Sequence, residues 1–410
     1  MAEGRKWPLA VRVLLALPLV LVPGAVVFAS AVGDERPVRV ASGASGGAFH
    51  PIAGNFRPDE RVLGECREDD YECVQQTFGN VAYRQGTRQA LVLFEQELER
   101  NASVKLDCHR IVHMIGSASL ARFDGDVART FAVGSATCAS GYYHGVLERS
   151  FVGVRTRAEL VDVARKLCVA DTIRPQGFLD YQCRHGLGHG LMIQTGYDLP
   201  LALETCDRLQ TGWDAVACTG GVFMENGTTR FGYRSRWLDD EDPLHPCDAV
   251  AARHRRSCYL RAPLRILALE RRDFAATART CGALRPVHAQ PCFRGFGREV
   301  AGEADYGPRR IVELCGLAGA GAGDCLYGAA RTVGDGSGVP GTRRAGQLCK
   351  GVPAPTRDAC FGGVGIVVGL LYPTNEARRG ACSKLARPRA GACSRGAIAE
   401  VHPSGRGAWG

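Results

Sequence analysis

The chain has 410 residues and 18 cysteines, with 45% hydrophobic and 23% charged residues and a net charge of +9. That balance excludes a wholly disordered chain, and an even cysteine count permits complete pairing. No C-x-x-C occurs, which argues against zinc ribbons, thioredoxin-like redox motifs and c-type haem attachment; so many thiols point to an oxidising compartment.

The N-terminus supports export. Arg5, Lys6 and Arg12 precede an uncharged run from Val13 to Val32, and Ala29-Ser30-Ala31 is an acceptable cleavage signal. The run is long enough to span a bilayer, so residues 1–32 read as a signal-anchor transmembrane helix with a cytoplasmic N-terminus; the alternative is a signal peptide cleaved near Ala31. Both readings place the remainder outside the cytoplasm, which makes nucleic acid an unexpected partner. Residues 33–57, rich in Gly, Ala and Ser, read as a flexible linker.

From there the cysteines set a ruler. They fall into pairs expected to be disulfides: Cys66–Cys73, Cys168–Cys183, Cys206–Cys218, Cys247–Cys258, Cys281–Cys292, Cys315–Cys325, Cys349–Cys360 and Cys382–Cys393. Cys108 and Cys138 fit less well, and either pair with each other across adjacent units or leave Cys108 a free thiol. The first members of the last five pairs are 34, 34, 34 and 33 residues apart, which signals stacked repeats. Each unit reads as two helices: one runs into its first cysteine, as in Arg309 to Cys315, and one starts at its second, as in Cys360 to Val368. Breakers such as Tyr306-Gly307-Pro308 separate units. Gly stands three residues after the second cysteine in seven units, where a missing side chain lets helices approach. The chain thus divides into N-terminal repeats over 58–235, basic 34-residue repeats over 236–402, and a tail over 403–410.

Over residues 160–400 this layout resembles the cysteine-stapled Sel1-like repeat proteins, relatives of tetratricopeptide arrays. The expected fold is all-α: a right-handed α-solenoid of about ten disulfide-stapled helical hairpins. The resemblance implies a concave binding surface and carries over no functional residue.

Five of the ten histidines lie between 109 and 189, as His109 with His113, His144 with Glu148, and His185 with His189. Every spacing is i, i+4, so each pair shares one helix face. Counted from the unit's second cysteine, His185 is at +2, His144 and His189 at +6 and Glu148 at +10; His109 and His113 sit one residue earlier than this stripe, at +1 and +5. Stacking would gather His109, His113, His144, Glu148, His185 and His189 on one surface, a ligand set that suits Zn, Cu, Fe, Mn or Ni. If the site is catalytic, Glu148 or Glu225 is the candidate base. Two other readings stay open: a buried polar layer of hydrogen-bonded imidazoles, and a metal-free acid–base site. Asp107, Tyr142, Tyr143, Asp180 and Tyr181 are candidate partners fixing the histidine tautomers.

Charge is uneven. Residues 1–244 carry 26 basic and 30 acidic groups, and residues 245–410 carry 25 and 12. Arg309-Arg310, Arg343-Arg344 and Arg378-Arg379 recur at the start of first helices and are expected to line one edge. The first functional expectation is therefore an exported, membrane-anchored repeat protein that binds a transition metal. The alternative is a non-catalytic scaffold whose Arg-rich edge meets an acidic protein or anionic surface polymer.

Overall fold

The computed structural model describes residues 39–40, 56–67, 69–228, 233–335 and 338–399. The expected anchor over 1–32, nearly all of the linker and the tail lie outside them. Helix dominates. Helix α1 (Tyr71–Arg84) comes first; α2 (Thr87–Arg100) and α3 (Ala102–Leu106) then lead to α4 (Cys108–Arg122). Helix α5 (Val127–Ala132) leads to α6 (Gly141–Ser150), α7 (Arg157–Leu167) to α8 (Gly177–Gln194), and α9 (Leu199–Asp207) to α10 (Gly212–Asn226). After an insertion come α11 (Ala252–Leu269), α12 (Phe274–Gly282) with α13 (Pro286–Glu303), and α14 (Pro308–Gly316) with α15 (Ala322–Asp335). The array ends with α16 (Gly338–Gly351) and α17 (Arg357–Leu371), then α18 (Asn375–Leu385) and α19 (Ala390–Ala399). One departure from the all-α expectation is a two-residue parallel pairing of Arg39–Val40 with Tyr233–Arg234, too short to change the class.

Local sequence explains the starts. Asp126, Asp198, Thr211, Asp273 and Thr374 each accept a backbone N–H at a helix N-cap, and Thr156 with Glu159 forms a full capping box. The first helices α7, α12 and α18 bury one face only. The second helices differ: α8 is buried at every position from Asp180 to Gln194, and α17 from Cys360 to Leu370. A helix covered on all sides belongs to the interior. Ala354–Leu371 is apolar and long enough to cross a membrane, yet 61% of it is already buried and Cys360 is tied to Cys349, so its apolarity is that of a core helix.

All nine disulfides are formed, Cys108–Cys138 included, and no cysteine is free. Each of the last four closes a loop of about ten residues at a hairpin turn, worth about 2–3 kcal/mol by loop-entropy reasoning, while Cys247–Cys258 ties α11 to the non-helical segment before it. Successive inner helices interlock through their backbones. A Cβ on Gly221 would stand 1.9 Å from the His185 carbonyl oxygen, and one on Gly188 2.0 Å from that of Cys218. Each helix thus lends a carbonyl to its neighbour's glycine, which is why the fixed Gly offset recurs.

The inner helices α1, α4, α6, α8, α10, α11, α13, α15, α17 and α19 pack in that order. In addition α8 touches α17, five inner helices further along. A Cβ on Gly177 would lie 2.8 Å from the Leu370 carbonyl oxygen, and Arg331 Nη2 donates to Tyr181 Oη at 3.0 Å. The array curls back on itself there, so its inner face is packed rather than an open groove.

Candidate metal centre

Helices α4, α6 and α8 each bring two site residues to the same inward face. Glycines beside the histidines allow this. A Cβ on Gly145 would stand 1.9 Å from the His113 carbonyl oxygen, and one on Gly190 2.8 Å from that of Leu147. With the backbones this close, imidazoles from neighbouring helices meet. His144 stacks on His189 with ring centres 4.5 Å apart, and also lies beside His109, His113 and His185 at 5.6, 5.3 and 5.5 Å.

Two groups of donor atoms result, each with its atoms within 4.8 Å of one another: His109, His113 and His144, and His144, His185 and His189. His113, His144, His185 and His189 are buried, while His109 also lines a surface pocket with Asp107, Arg110 and Thr228. Polar contacts behind the rings fix their direction. His109 Nδ1 donates to the Cys138 carbonyl oxygen at 2.7 Å, and His185 Nδ1 faces that of Ala217 at 3.4 Å. His113 Nδ1 lies 2.8 Å from Glu148 Oε1, and His189 Nδ1 2.7 Å from Glu225 Oε2. A carbonyl or carboxylate can only accept, so for His109, His185 and His189 these partners assign the proton to Nδ1 and leave the Nε2 lone pair facing inward. The Nε2 atoms of His109 and His113 then oppose each other at 3.0 Å, and those of His185 and His189 at 3.4 Å. Two ligands about 2.0 Å from one tetrahedral ion stand about 3.3 Å apart. The donor set fits a transition metal.

The outer partners are themselves held. Glu225 is fully buried and accepts from Tyr197 Oη at 2.6 Å, with Thr228 Oγ1 at 3.4 Å. Burial, first of all, pushes the His185 pKa well below its ordinary value, assisted by His189, Arg298 and Arg331. A neutral imidazole is the form that ligates.

The structure gathers all five expected histidines. Glu148, expected as a ligand, stands behind His113, and Glu225, expected as a base, stands behind His189. The other expected tautomer partners do different work. Asp180 pairs with Arg174 and Arg184, and Asp107 with Arg110 and Gln75. Tyr142 Oη donates to the Thr130 carbonyl oxygen at 2.9 Å, while Tyr143 packs on Phe131; only Tyr181 touches a site ring, stacking on His185 at 5.5 Å. Sequence reasoning missed the buried network beside the site, in which Arg184, fully enclosed, contacts Asp180, Asp214 and the Cys168 carbonyl oxygen. It also misplaced Arg378. That residue is buried rather than on an edge, because its Nε donates to the Tyr372 carbonyl oxygen at 2.8 Å.

Fold and site together define a disulfide-rich helical array with a buried histidine cluster able to hold a metal ion. No family model, curated protein or solved structure matches the chain.

Proposed function

We propose that this chain is an exported, membrane-anchored helical-repeat protein that binds a transition metal through His109, His113, His144, His185 and His189. The observation carrying this reading is the opposed Nε2 atoms of His185 and His189 at 3.4 Å, each ring with its Nδ1 on an acceptor. Two lone pairs so close in a buried site repel unless a cation lies between them. In this reading Glu148 and Glu225 orient His113 and His189 and strengthen them as ligands. Zn, Cu, Fe or Mn suits such imidazole donors; bound there, it supplies Lewis acidity or, for a redox metal, electron transfer. The nine disulfides are the chemistry of an oxidising, extracytoplasmic compartment, and the charged–apolar N-terminus supplies the anchor. A right-handed, Sel1-like superhelix is the architecture proposed for the array.

Elemental analysis of the purified full chain tests the metal. The expected result is about one or two transition-metal ions per chain, depending on whether shared His144 offers a nitrogen to each triad. Loss is expected in a His185→Ala/His189→Ala variant. A trace content unchanged in that variant would sink the reading.

A second reading is favoured by the exposure of Arg309, Arg310, Arg343, Arg344 and Arg379 at the starts of successive first helices. They form a basic edge for an acidic protein or anionic surface polymer. Retention on an immobilised polyanion should be lost on raising salt and in Arg-to-Gln variants of these positions; salt-independent retention would exclude it.

A further inference from the structure

A small cleft between α11, α13 and α15 is walled by Arg256, Arg294, Arg298, Arg331 and Tyr327. We propose that this cleft binds a small, doubly charged tetrahedral oxyanion, such as phosphate or sulfate.

Four guanidiniums lining one narrow space is a costly arrangement, because their mutual repulsion is strong where water is scarce. Carboxylates stand beside two of them. Arg294 faces Asp324 at 3.0 Å and Arg331 faces Asp335 at 3.8 Å. Burial pushes the Asp335 pKa up, so that carboxyl is a weak counter-charge. Arg298 approaches the Met224 sulfur at 4.0 Å, and its Nε has no hydrogen-bond partner. A guanidinium donor without an acceptor in a cleft lined by four arginines calls for an anion with several oxygens, and a tetrahedral oxyanion meets guanidinium forks from several directions at once. The cleft is too narrow for a polymer chain, and the ion-sized space selects the free anion.

The arginines repeat the histidine stripe. Arg294 and Arg298 occupy offsets +2 and +6 in their unit, as His185 and His189 do in theirs, and Arg331 is at +6 in the next. The two sites are also joined. Arg331 Nη2 donates to Tyr181 Oη at 3.0 Å, and Tyr181 stacks on His185. The anion would sit two side chains away from His185, but its binding does not depend on the metal reading.

Thermal unfolding of the full chain at constant ionic strength is the test, with inorganic phosphate, sulfate, formate or chloride as the probe. Phosphate or sulfate is expected to raise Tm saturably by a few degrees, while formate and chloride do not. The shift should vanish in Arg298→Met and persist in Arg343→Met, an exposed control. Equal responses to all four anions, or a phosphate shift retained in Arg298→Met, overturn the proposal. Should Arg298→Met fail to fold, crystals of the unaltered chain grown with selenate decide: anomalous density in the cleft supports the site, and its absence there overturns it.

Discussion

The histidine region (α4 to α10) and the arginine region (α11 to α15) use one scaffold for two chemistries. In both, a disulfide pins the hairpin, glycines let the inner backbones touch, and offsets +2 and +6 face inward. His185 and His189 hold those addresses in α8; Arg294 and Arg298 hold them in α13. One region presents neutral lone pairs backed by carboxylates and carbonyls, suited to a cation. The other presents fixed positive charge, suited to an anion. The repeat supplies position, and only the residue type decides what is bound. Between them, α11 breaks the rule: Arg261 stands at the offset that seven units give to Gly, and its buried side chain enters the space beside His185, whose Nδ1 lies 3.5 Å and Arg261 Nη2 3.7 Å from a Cβ built on Gly220.

If the scaffold is truly common, damaging it should cost the same in both regions. Gly188→Ala and Gly328→Ala place a methyl 2.0 and 1.8 Å from a neighbouring carbonyl oxygen. Each should lose about 3 kcal/mol or more of unfolding free energy in denaturant titration, and a well-tolerated Ala at either position would break the equivalence. Replacing both Cys281 and Cys292 with Ser should cost about 2–3 kcal/mol by the same measurement and leave metal content unchanged.

The chemistries, by contrast, should separate. Glu225→Gln weakens the partner of His189, so metal affinity measured by chelator competition should fall about 10–100-fold; Arg298→Met should leave it nearly unaltered. Equal losses in both variants would mean the regions act as a single site. The smallest effect concerns His254 of α11, which lies 3.3 Å from Asp207. Burial, the main cause, lowers its pKa despite that carboxylate. Its contribution is therefore fully present above the unfolded value of about 6.5 and is lost as pH falls below it, by at most about 1.4 kcal/mol per pH unit. Stability measured from pH 7 to 5 should decline less steeply in His254→Gln.

Much of this was legible in the chain. The cysteine spacing carried the hairpins, and the histidine offsets brought five imidazoles together, because a helical array converts sequence offset directly into a facing direction. Cys108–Cys138 stayed open because 30 residues and an additional helix separate the two. Where His gives way to Arg298 and Arg331 the facing direction persists although the residue type changes, so a search for one residue type does not follow it. The approach of α8 to α17 was hidden for another reason: curvature accumulates from small rotations at every interface and leaves no motif. Arg378 was misjudged because its inward path depends on the Tyr372 carbonyl, a partner set by chain direction rather than composition.

That approach of α8 to α17 changes how the molecule should come apart. Stacked repeats with only neighbour contacts fray from their ends and tolerate shortening. Here a contact between residues nearly 200 positions apart, Gly177 against Leu370, makes distant units interdependent. Loss of the α17 unit would strip cover from the helix bearing His185 and His189. The surroundings of the histidine cluster therefore depend on a unit far along the chain.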